Sequence, residues 1–356
     1  MSTIYLTHGT EKMADAHILV TGGCGFIGTN LVNHLSNKGY RVRILDNLST
    51  PSRKFLNNQE SPVISPLPSQ AVDSGLPSTD LVVGDIRDYQ AVKKVTEGVD
   101  AVVHLAAHTS VVESVEKPKE DWDINVNGTL NLLEACRCNG VDRFIFASSN
   151  AVVGEQDPPI DETKIPRPLS PYGASKLAGE ALCSTYYHSF GLKTISLRFS
   201  NCYGPYAQHK PSVIAMFIDW ARKGEPLVIY GDGNQTRDFV HVDDICQAIH
   251  LSLIIAQPPK LSQQTQPILS TQETSLWGEV FQIASGVETS INQLAELIKA
   301  MTDLQLPIVH KPKRKGEIER NYSDIAKARA ALAFEPKVGL REGLNRLQEW
   351  YTKIDR

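Results

Sequence analysis

The sequence predicts an α/β protein, a doubly wound parallel sheet followed by a smaller C-terminal α/β part. From residue 17 onward, short β-branched runs alternate with helix-period stretches, as in "HILVTGG", "FIGTNLVNHLSNKGY" and "RVRILDN". Crossover helices between parallel strands produce that alternation. A glycine cluster separates the first apolar run from the first amphipathic one, at the place where such folds turn from strand to helix. With 356 residues, 41% of them hydrophobic, the chain is long enough to bury a large core and a second, smaller one.

Taken in order, the first strand starts at His17, a helix covers 26–37, and "RVRILDN" supplies the second strand. Further strands fall on "LVVGD" at 81, "AVVHLA" at 101, "RFIFASS" at 143, "TISLRFS" at 194 and "PLVIYG" at 226. Helices are expected over 88–97, 120–139, 171–190, 212–223, 243–255 and 290–302. Residues 50–80 and 257–275 are rich in Pro, Ser, Asn and Gln and read as surface loops. The expected division is a polar extension over 1–16, with Met13 as an alternative start, then a nucleotide-binding domain over 17–200. Residues 201–356 would mainly hold the substrate, with some chain crossing back to the first sheet.

The net charge is −4 and no dense Lys/Arg run occurs, which removes the electrostatic footprint of a nucleic-acid binder. No segment approaches the roughly 20 uninterrupted apolar residues of a membrane span, and the first residues lack a signal peptide's pattern. A soluble cytoplasmic protein with no membrane partner is expected. The six cysteines, Cys24, Cys136, Cys138, Cys183, Cys202 and Cys246, form no paired C-x-x-C knuckle. They read as buried thiols in a reducing compartment, with no metal bound.

"TGGCGFIG" places Gly22, Gly25 and Gly28 after an apolar strand and at the opening of a helix. One glycine permits the tight turn, another lets backbone approach a pyrophosphate, and Gly28 lets the helix pack closely on the sheet. The first helical turn, with Phe26 and Ile27, offers unpaired N–H groups to the phosphate anion. Asp46 stands about 20 residues beyond the loop, where a carboxylate accepts both ribose hydroxyls of an adenosine and repels a 2′-phosphate. That favours NAD over NADP, although Asn47 and the basic Arg53 and Lys54 leave the choice open. "GDIRD" at 84–88 and "HLAAHTS" at 104–110 end later strands, where ligands of open α/β sheets bind. Leu105, Ala106 and Ala107 join the cofactor candidates there. Asp85 and Ile86 read equally well as adenine contacts or as a loop cap and a core residue.

Together with "NVNGTLNLLEAC", "ASSNAVVGE" and "SPYGASK", these motifs make the chain resemble the extended short-chain dehydrogenase/reductase family of nucleotide-sugar epimerases and dehydratases. The resemblance runs from about 17 to 350 and is strongest to the UDP-hexose 4-epimerases. It implies a Rossmann-type first domain holding NAD, a C-terminal domain for a UDP-sugar, and a homodimer formed by the helices at 120–139 and 171–190. A monomer's helix-on-sheet packing would give those helices a comparable apolar stripe. Matched position by position, it implies Tyr172 as the catalytic acid/base, Lys176 as its partner, and Ser149, rather than its neighbour Ser148, as the serine that bonds the sugar's 4-hydroxyl. Asn125 matches an asparagine on the nicotinamide side, and Thr109 a side chain near the ribose or sugar. Ser110, Val111, Asn201, Arg237, Arg314 and Asn321 fall on the nucleotide-sugar side.

The chemistry explains the residue types. A sugar C4–H is not acidic, so inversion proceeds most easily by oxidising the alcohol, turning the ketone over and returning hydride to the other face. A base must take the hydroxyl proton, and a tyrosine near its ordinary pKa of about 10 is a poor one unless its anion is stabilised. Lys176, one helical turn after Tyr172, is expected to lower that pKa together with the cofactor's positive ring, and the small residues Gly173, Ala174 and Ser175 to let the cofactor lie close. Dehydratases and decarboxylases of the family carry additional acid/base groups after the serine, where this chain has Asn150 and Ala151; simple epimerisation is favoured. Val153 stands where the family commonly has tyrosine. Asn321 stands where some 4-epimerases have a bulky tyrosine, leaving room for an N-acetyl group or a polar contact to a C6 carboxylate, so UDP-glucose, UDP-GlcNAc and UDP-glucuronate all remain candidates. A non-catalytic dinucleotide-binding regulator would not need the Tyr/Lys/Ser set, and an NADPH-dependent steroid- or flavonoid-type reductase would not need the arginines.

Overall fold

The computed structural model describes residues 16–49, 79–207, 210, 212–255, 275–302, 305–313 and 318–354. The two Pro/Ser-rich stretches lie outside these residues except at their ends, where Thr79 and Asp80 already belong to a strand. Arg53, Lys54, Arg314 and the N-terminal extension also lie outside the described residues.

Among the described residues the strands are β1 (His17–Thr21), β2 (Arg41–Asp46), β3 (Thr79–Val83), β4 (Ala101–His104), β5 (Arg143–Ser149), β6 (Lys193–Phe199), β7 (Asn201–Tyr203), β8 (Leu227–Tyr230), β9 (Thr236–Arg237), β10 (Phe239–His241), β11 (Glu279–Ile283), β12 (Thr289–Ser290) and β13 (Ile308–Lys311). The helices are α1 (Phe26–Asn37), α2 (Tyr89–Val95), α3 (Val111–Glu116), α4 (Pro118–Trp122), α5 (Gly128–Asn139), α6 (Pro171–Phe190), α7 (Val213–Lys223), α8 (Val242–Ile254), α9 (Ile291–Lys299), α10 (Ala326–Leu332) and α11 (Leu340–Ile354).

Seven parallel strands build the central sheet in the order β3-β2-β1-β4-β5-β6-β11. The strand order reverses at β1, whose Thr21 pairs with Leu45 on one side and His104 on the other. In doubly wound sheets a crevice opens at that switch point, outside the carboxyl ends of the strands. Successive strand residues serve opposite faces. Ile18, Val20, Val42, Ile44, Val103 and Ile145 join Leu31, Val32 and Leu35 of α1 and Ile245, Ile249 and Leu253 of α8 in one core. Leu19, Leu45, Val102, Phe144 and Phe146 join Val92 of α2, Leu132 and Leu133 of α5 and Tyr186 of α6 in another. With both faces covered, the middle strands β1 and β4 are buried along their whole length, as parallel strands are. A third core, around Tyr203, Phe217, Leu294 and Leu347, unites α7, α9 and α11 beyond the sheet.

The structure adds elements that the sequence reading did not expect. The helix expected over 120–139 is α4, a π-helical turn over Asp123–Asn127, and α5. The six-residue α3 is shorter than the window over which periodicity shows. In α11 a glycine interrupts the pattern, and it is there for packing: a Cβ on Gly343 would lie 2.1 Å from Tyr203 Oη. Strand β11 begins with an exposed charged residue, Glu279, and gains its identity only by pairing with β6. Cys138 is exposed, against the expectation of six buried thiols; the other five are buried and none is disulfide-bonded. It follows Arg137 on the solvent side of α5 and lies near Glu134 one turn earlier.

Helices α1 and α8 meet around two histidines. His34 and His250 stack edge to face with centroids 5.6 Å apart, and Tyr40 Oη lies 3.1 Å from His250 Nε2. Burial first, then the Lys38 charge, pushes both pKa values down, that of His250 to about 4. Both rings are therefore neutral in the fold at neutral pH, while the unfolded chain takes up protons below about 6.5. Their contribution is intact above pH 6.5 and is lost as pH falls toward 4. Urea titrations across that range are expected to show stability falling with pH, and His250→Gln is expected to flatten the slope by up to about one proton. An unchanged slope would exclude this cluster as the source.

Candidate active site

At the carboxyl end of β1 the chain turns at Gly22, with φ +70°. A Cβ there would lie 2.7 Å from Ala106 N, and one on Gly28 would lie 2.1 Å from Gly22 O, so these two glycines are required by the packing of the loop itself. Gly25 differs: a Cβ there would meet only Gly22 O, at 3.3 Å. Its outer side is open, and no side chain caps the first turn of α1 that it begins. Phe26 and Ile27, half-buried, form that turn. Asp46, at the end of β2, accepts Cys24 N–H at 2.9 Å and Leu48 N–H at 2.8 Å. Burial raises its pKa, and the two backbone donors oppose that rise. Open backbone, an uncapped helix start and a carboxylate beside them suit a dinucleotide's pyrophosphate and ribose.

The other cofactor candidates divide. Asn47 donates to Asp85 at 3.2 Å, and Arg87 grips Asp85 at 2.8–2.9 Å and holds its carboxyl down at about 2. Ile86 is a core residue, 5% exposed and packed where a Cβ on Gly128 would meet it at 2.5 Å. Leu105, Ala106 and Ala107 follow β4 and are half-buried; Leu105 and Ala106 are tethered to Thr21. Thr109 is exposed.

Ser149 is the last residue of β5 and Tyr172 the second of α6. Ser170 caps α6 by accepting Gly173 N–H at 3.1 Å, and Pro171 occupies its first position, a combination that fixes where the helix starts. The Ser149 hydroxyl accepts Ala151 N–H at 3.2 Å and favours the ionised form of the Tyr172 phenol. Ser148, the neighbouring candidate, is buried and donates instead to Glu180 at 2.5 Å, a carboxylate that Arg198 also grips at 2.7–2.8 Å.

Burial pushes Tyr172 up to about 12, Ser149 opposes that and Asp121 adds to it. The Lys176 ammonium, itself pushed down to about 8 by burial, donates to Ala147 O at 2.9 Å and sits 4.9 Å from the Phe146 ring centre. The small residues between them are also required by the packing of the helix itself. A Cβ on Gly173 would strike Ala151 O at 2.5 Å, and Ser175, fully buried, donates to Asp121 at 2.7 Å.

Asn125 is buried and spends its amide on protein. Its Oδ1 accepts His108 N–H at 2.8 Å, and its Nδ2 faces His108 O, Ser175 Oγ and Asp121 Oδ1 at 3.0–3.2 Å. Asp121 and His108 were missed as site residues. The available signal was Asp121 and Asn125 four apart, two polar residues on one helical face beneath the glycine loop's neighbours. Ser110 caps α3 by accepting Glu113 N–H, and Val111 is 47% exposed on that helix.

Beyond the sheet a cavity of about 290 Å³ is lined by Asn201, Arg237, Lys210, Tyr230 and Phe217 among others, bringing two candidates together. Arg237 lines it while donating to Thr236 O and Ile318 O. Asn321 is half-buried, and its Oδ1 has no hydrogen-bond partner.

Residues 18–260 match the model of the NAD dependent epimerase/dehydratase family. The chain belongs to that family. NAD is its cofactor. A putative UDP-glucose 4-epimerase of Methanocaldococcus jannaschii is 37% identical over 95% of this chain and 99% of that one. A UDP-glucose 4-epimerase from Thermotoga maritima, solved with UDP-glucose, superposes with a TM-score of 0.81 at 34% identity, over 96% of this chain and 100% of that one. A UDP-N-acetylglucosamine 4-epimerase from Methanobrevibacter ruminantium, in complex with UDP-N-acetylmuramic acid, gives a TM-score of 0.81 at 30% identity, over 96% and 99%. Among the described residues of this epimerase/dehydratase family member, no helix is long and apolar enough to cross a membrane and no cluster of side chains suits a metal ion.

Gly28→Ala tests the loop. With Gly22 O 2.1 Å from the added methyl, the variant is expected to lose retained NAD on purification and to melt several degrees lower, about 1–3 kcal/mol of overpacking. NAD retention at the wild-type level would show that the loop relaxes without consequence.

Proposed function

We propose that this family member is a UDP-hexose 4-epimerase that interconverts UDP-glucose and UDP-galactose through a 4-keto intermediate. The observation that carries the reading is that Ser149, at the end of β5, and Tyr172, in the first turn of α6, are brought together where α6 packs on Ala151, with Asn150 and Ala151, neither of which transfers protons, next in sequence. Asn150 is buried and engaged with Ser323 at 2.8 Å.

NAD, when bound, supplies the hydride acceptor and donor and a positively charged ring. The glycine loop and Asp46 hold it at the switch point. Tyr172 Oη accepts the C4-hydroxyl proton as the alcohol is oxidised and returns it after the ketone has turned over. Its burial makes the phenolate costlier to form than that of an ordinary tyrosine, by about 3 kcal/mol, so the proton stays on Tyr172 until a positive charge adjoins it. Ser149 Oγ aligns the substrate hydroxyl and then donates to the ketone oxygen. Lys176, a charged amine in a closed site, contributes positive potential near the cofactor. The cavity with Asn201 and Arg237 accepts the nucleoside diphosphate, to which the planar guanidinium suits phosphate oxygens. Asn321, smaller than tyrosine and with an unpaired carbonyl oxygen, supports tolerance of an N-acetyl sugar.

Tyr172→Phe is expected to lower kcat by about 10²–10⁴-fold while UDP-glucose still binds, measured by NMR of the C4 epimers and by calorimetry. Near-normal turnover would overturn the assignment. The same NMR assay with UDP-GlcNAc is expected to show conversion; complete inactivity would remove the N-acetyl tolerance.

The protein is also read as a homodimer. Trp122, Leu130 and Phe190, on the helices named for that contact, are 48%, 40% and 54% exposed, and large apolar side chains grouped on exposed helices mark interfaces. Sedimentation is expected to give twice the mass of one chain.

A further inference from the structure

Beneath the Tyr172–Lys176 turn lies a carboxylate that the proposed chemistry does not use. Asp121 is 0% exposed, yet three donors converge on it from three segments. Ser175 Oγ of α6 lies 2.7 Å from Oδ2, while His108 Nδ1, from the loop after β4, and Asn125 Nδ2, from the π-helical turn, lie 3.1 and 3.2 Å from Oδ1. A buried carboxylate that accepts this many hydrogen bonds is accommodated as the anion. His108 has a carboxylate at each nitrogen, Asp121 at 3.1 Å and Glu113 at 2.8 Å. A neutral imidazole carries one N–H and satisfies only one of them; the imidazolium satisfies both. Asn125 clamps the backbone of the same histidine from both ends of its amide, 2.8 Å to N and 3.0 Å to O. The loop that follows β4 is thus pinned to the helix bearing Tyr172 through one buried anion.

We propose that Asp121 is a positioning residue of the active site: it fixes the first turns of α6 against the loop after β4 and sets the local charge at Tyr172 and Lys176, with His108 held as its balancing cation. This rests on the reading of Tyr172 as the acid/base. The titratable groups around Asp121 are His108, with Glu113 behind it, and Tyr172 and Lys176 of α6; beyond Lys176 stand Glu180, Cys183 and His104. The negative charge of Asp121 raises both the phenol and the ammonium, and its two carboxylate neighbours raise His108 against the opposing effect of burial.

The charge and the hydrogen bond make separable demands, and three substitutions in the full-length, NAD-loaded protein read them. In Asp121→Asn the anion is gone, so the acid limb of the kcat–pH profile is expected to move to lower pH. In His108→Gln the balancing cation is gone, so the limb is expected to move to higher pH. Ser175→Ala keeps both charges and loses one strut; kcat is expected to fall about 10–100-fold, the scale of a small misplacement, with the limb unmoved. KM for UDP-glucose should stay within about twofold in the first two. Damage to the fold would not move two limbs in opposite directions. Limbs that coincide with the wild type, or that shift the same way in Asp121→Asn and His108→Gln, overturn the proposal. Should Asp121→Asn not fold, His108→Gln and an NMR titration of His108 in the wild type decide it: the imidazole is expected to titrate above its ordinary value, and an ordinary or lower value overturns the proposal. Normal turnover in Tyr172→Phe would instead sink the acid/base reading and leave the His108 titration standing.

Discussion

The first turns of α6 collect ionisable groups in a place from which water is largely shut out, and that desolvation governs the rest of the site. A half-buried phenol, a buried ammonium and a buried carboxylate lie under one helix end. Each would shed its charge if left alone, since burial disfavours the charged form of acids and bases alike. The partners differ accordingly. The ammonium takes a backbone carbonyl and an aromatic face, the carboxylate takes three donors, and the phenol remains protonated. The fold gives the ammonium and the carboxylate polar partners and leaves the phenol in the neutral form that burial favours.

The same region shows how packing and chemistry share residues. The small residues after Tyr172 close the helix onto Ala151 and onto Asp121, so the helix cannot drift from the strand end that carries Ser149. Behind it, Ser148, Glu180 and Arg198 form a second buried polar cluster. Breaking such a charge pair by removing one partner costs far more than replacing both. Adjacent serines at the end of β5 therefore have separate duties, one facing the phenol and one anchoring the strand to the helix.

Much of this was legible in the chain. The glycine loop, the alternation of strand and helix and the Tyr–Lys spacing depend on local chemistry, and local chemistry is what a sequence records. The long helices at 26–37 and 171–190 match their expected bounds, the second starting on its Ser170 cap. Short elements were opaque because their identity is set from outside: β11 exists by pairing with β6, and α11 tolerates Gly343 because Tyr203 fills the space. Within the site, residue types were readable and their electrostatics were not. Lys176 stands one turn from Tyr172 as spacing requires, but which atoms its ammonium faces depends on the strand beneath. Asn125 matches a motif position on the cofactor side, but its bonds to His108, Ser175 and Asp121 could not be read from the chain, and local sequence alone assigned Asp121 no role. Distances between segments far apart in the chain decide such roles.

Strand β11 carries a consequence for biosynthesis. It completes the edge of the central sheet, yet it is synthesised about eighty residues after β6, its neighbour. Until the ribosome has delivered it, β6 presents an unsatisfied row of amide and carbonyl groups, the kind of border along which nascent chains stick to one another. A fragment cut off near residue 200 would keep that border permanently. The late return of the polypeptide thus makes the central sheet hostage to its far end, and it favours chaperone protection during translation over independent folding of the first half.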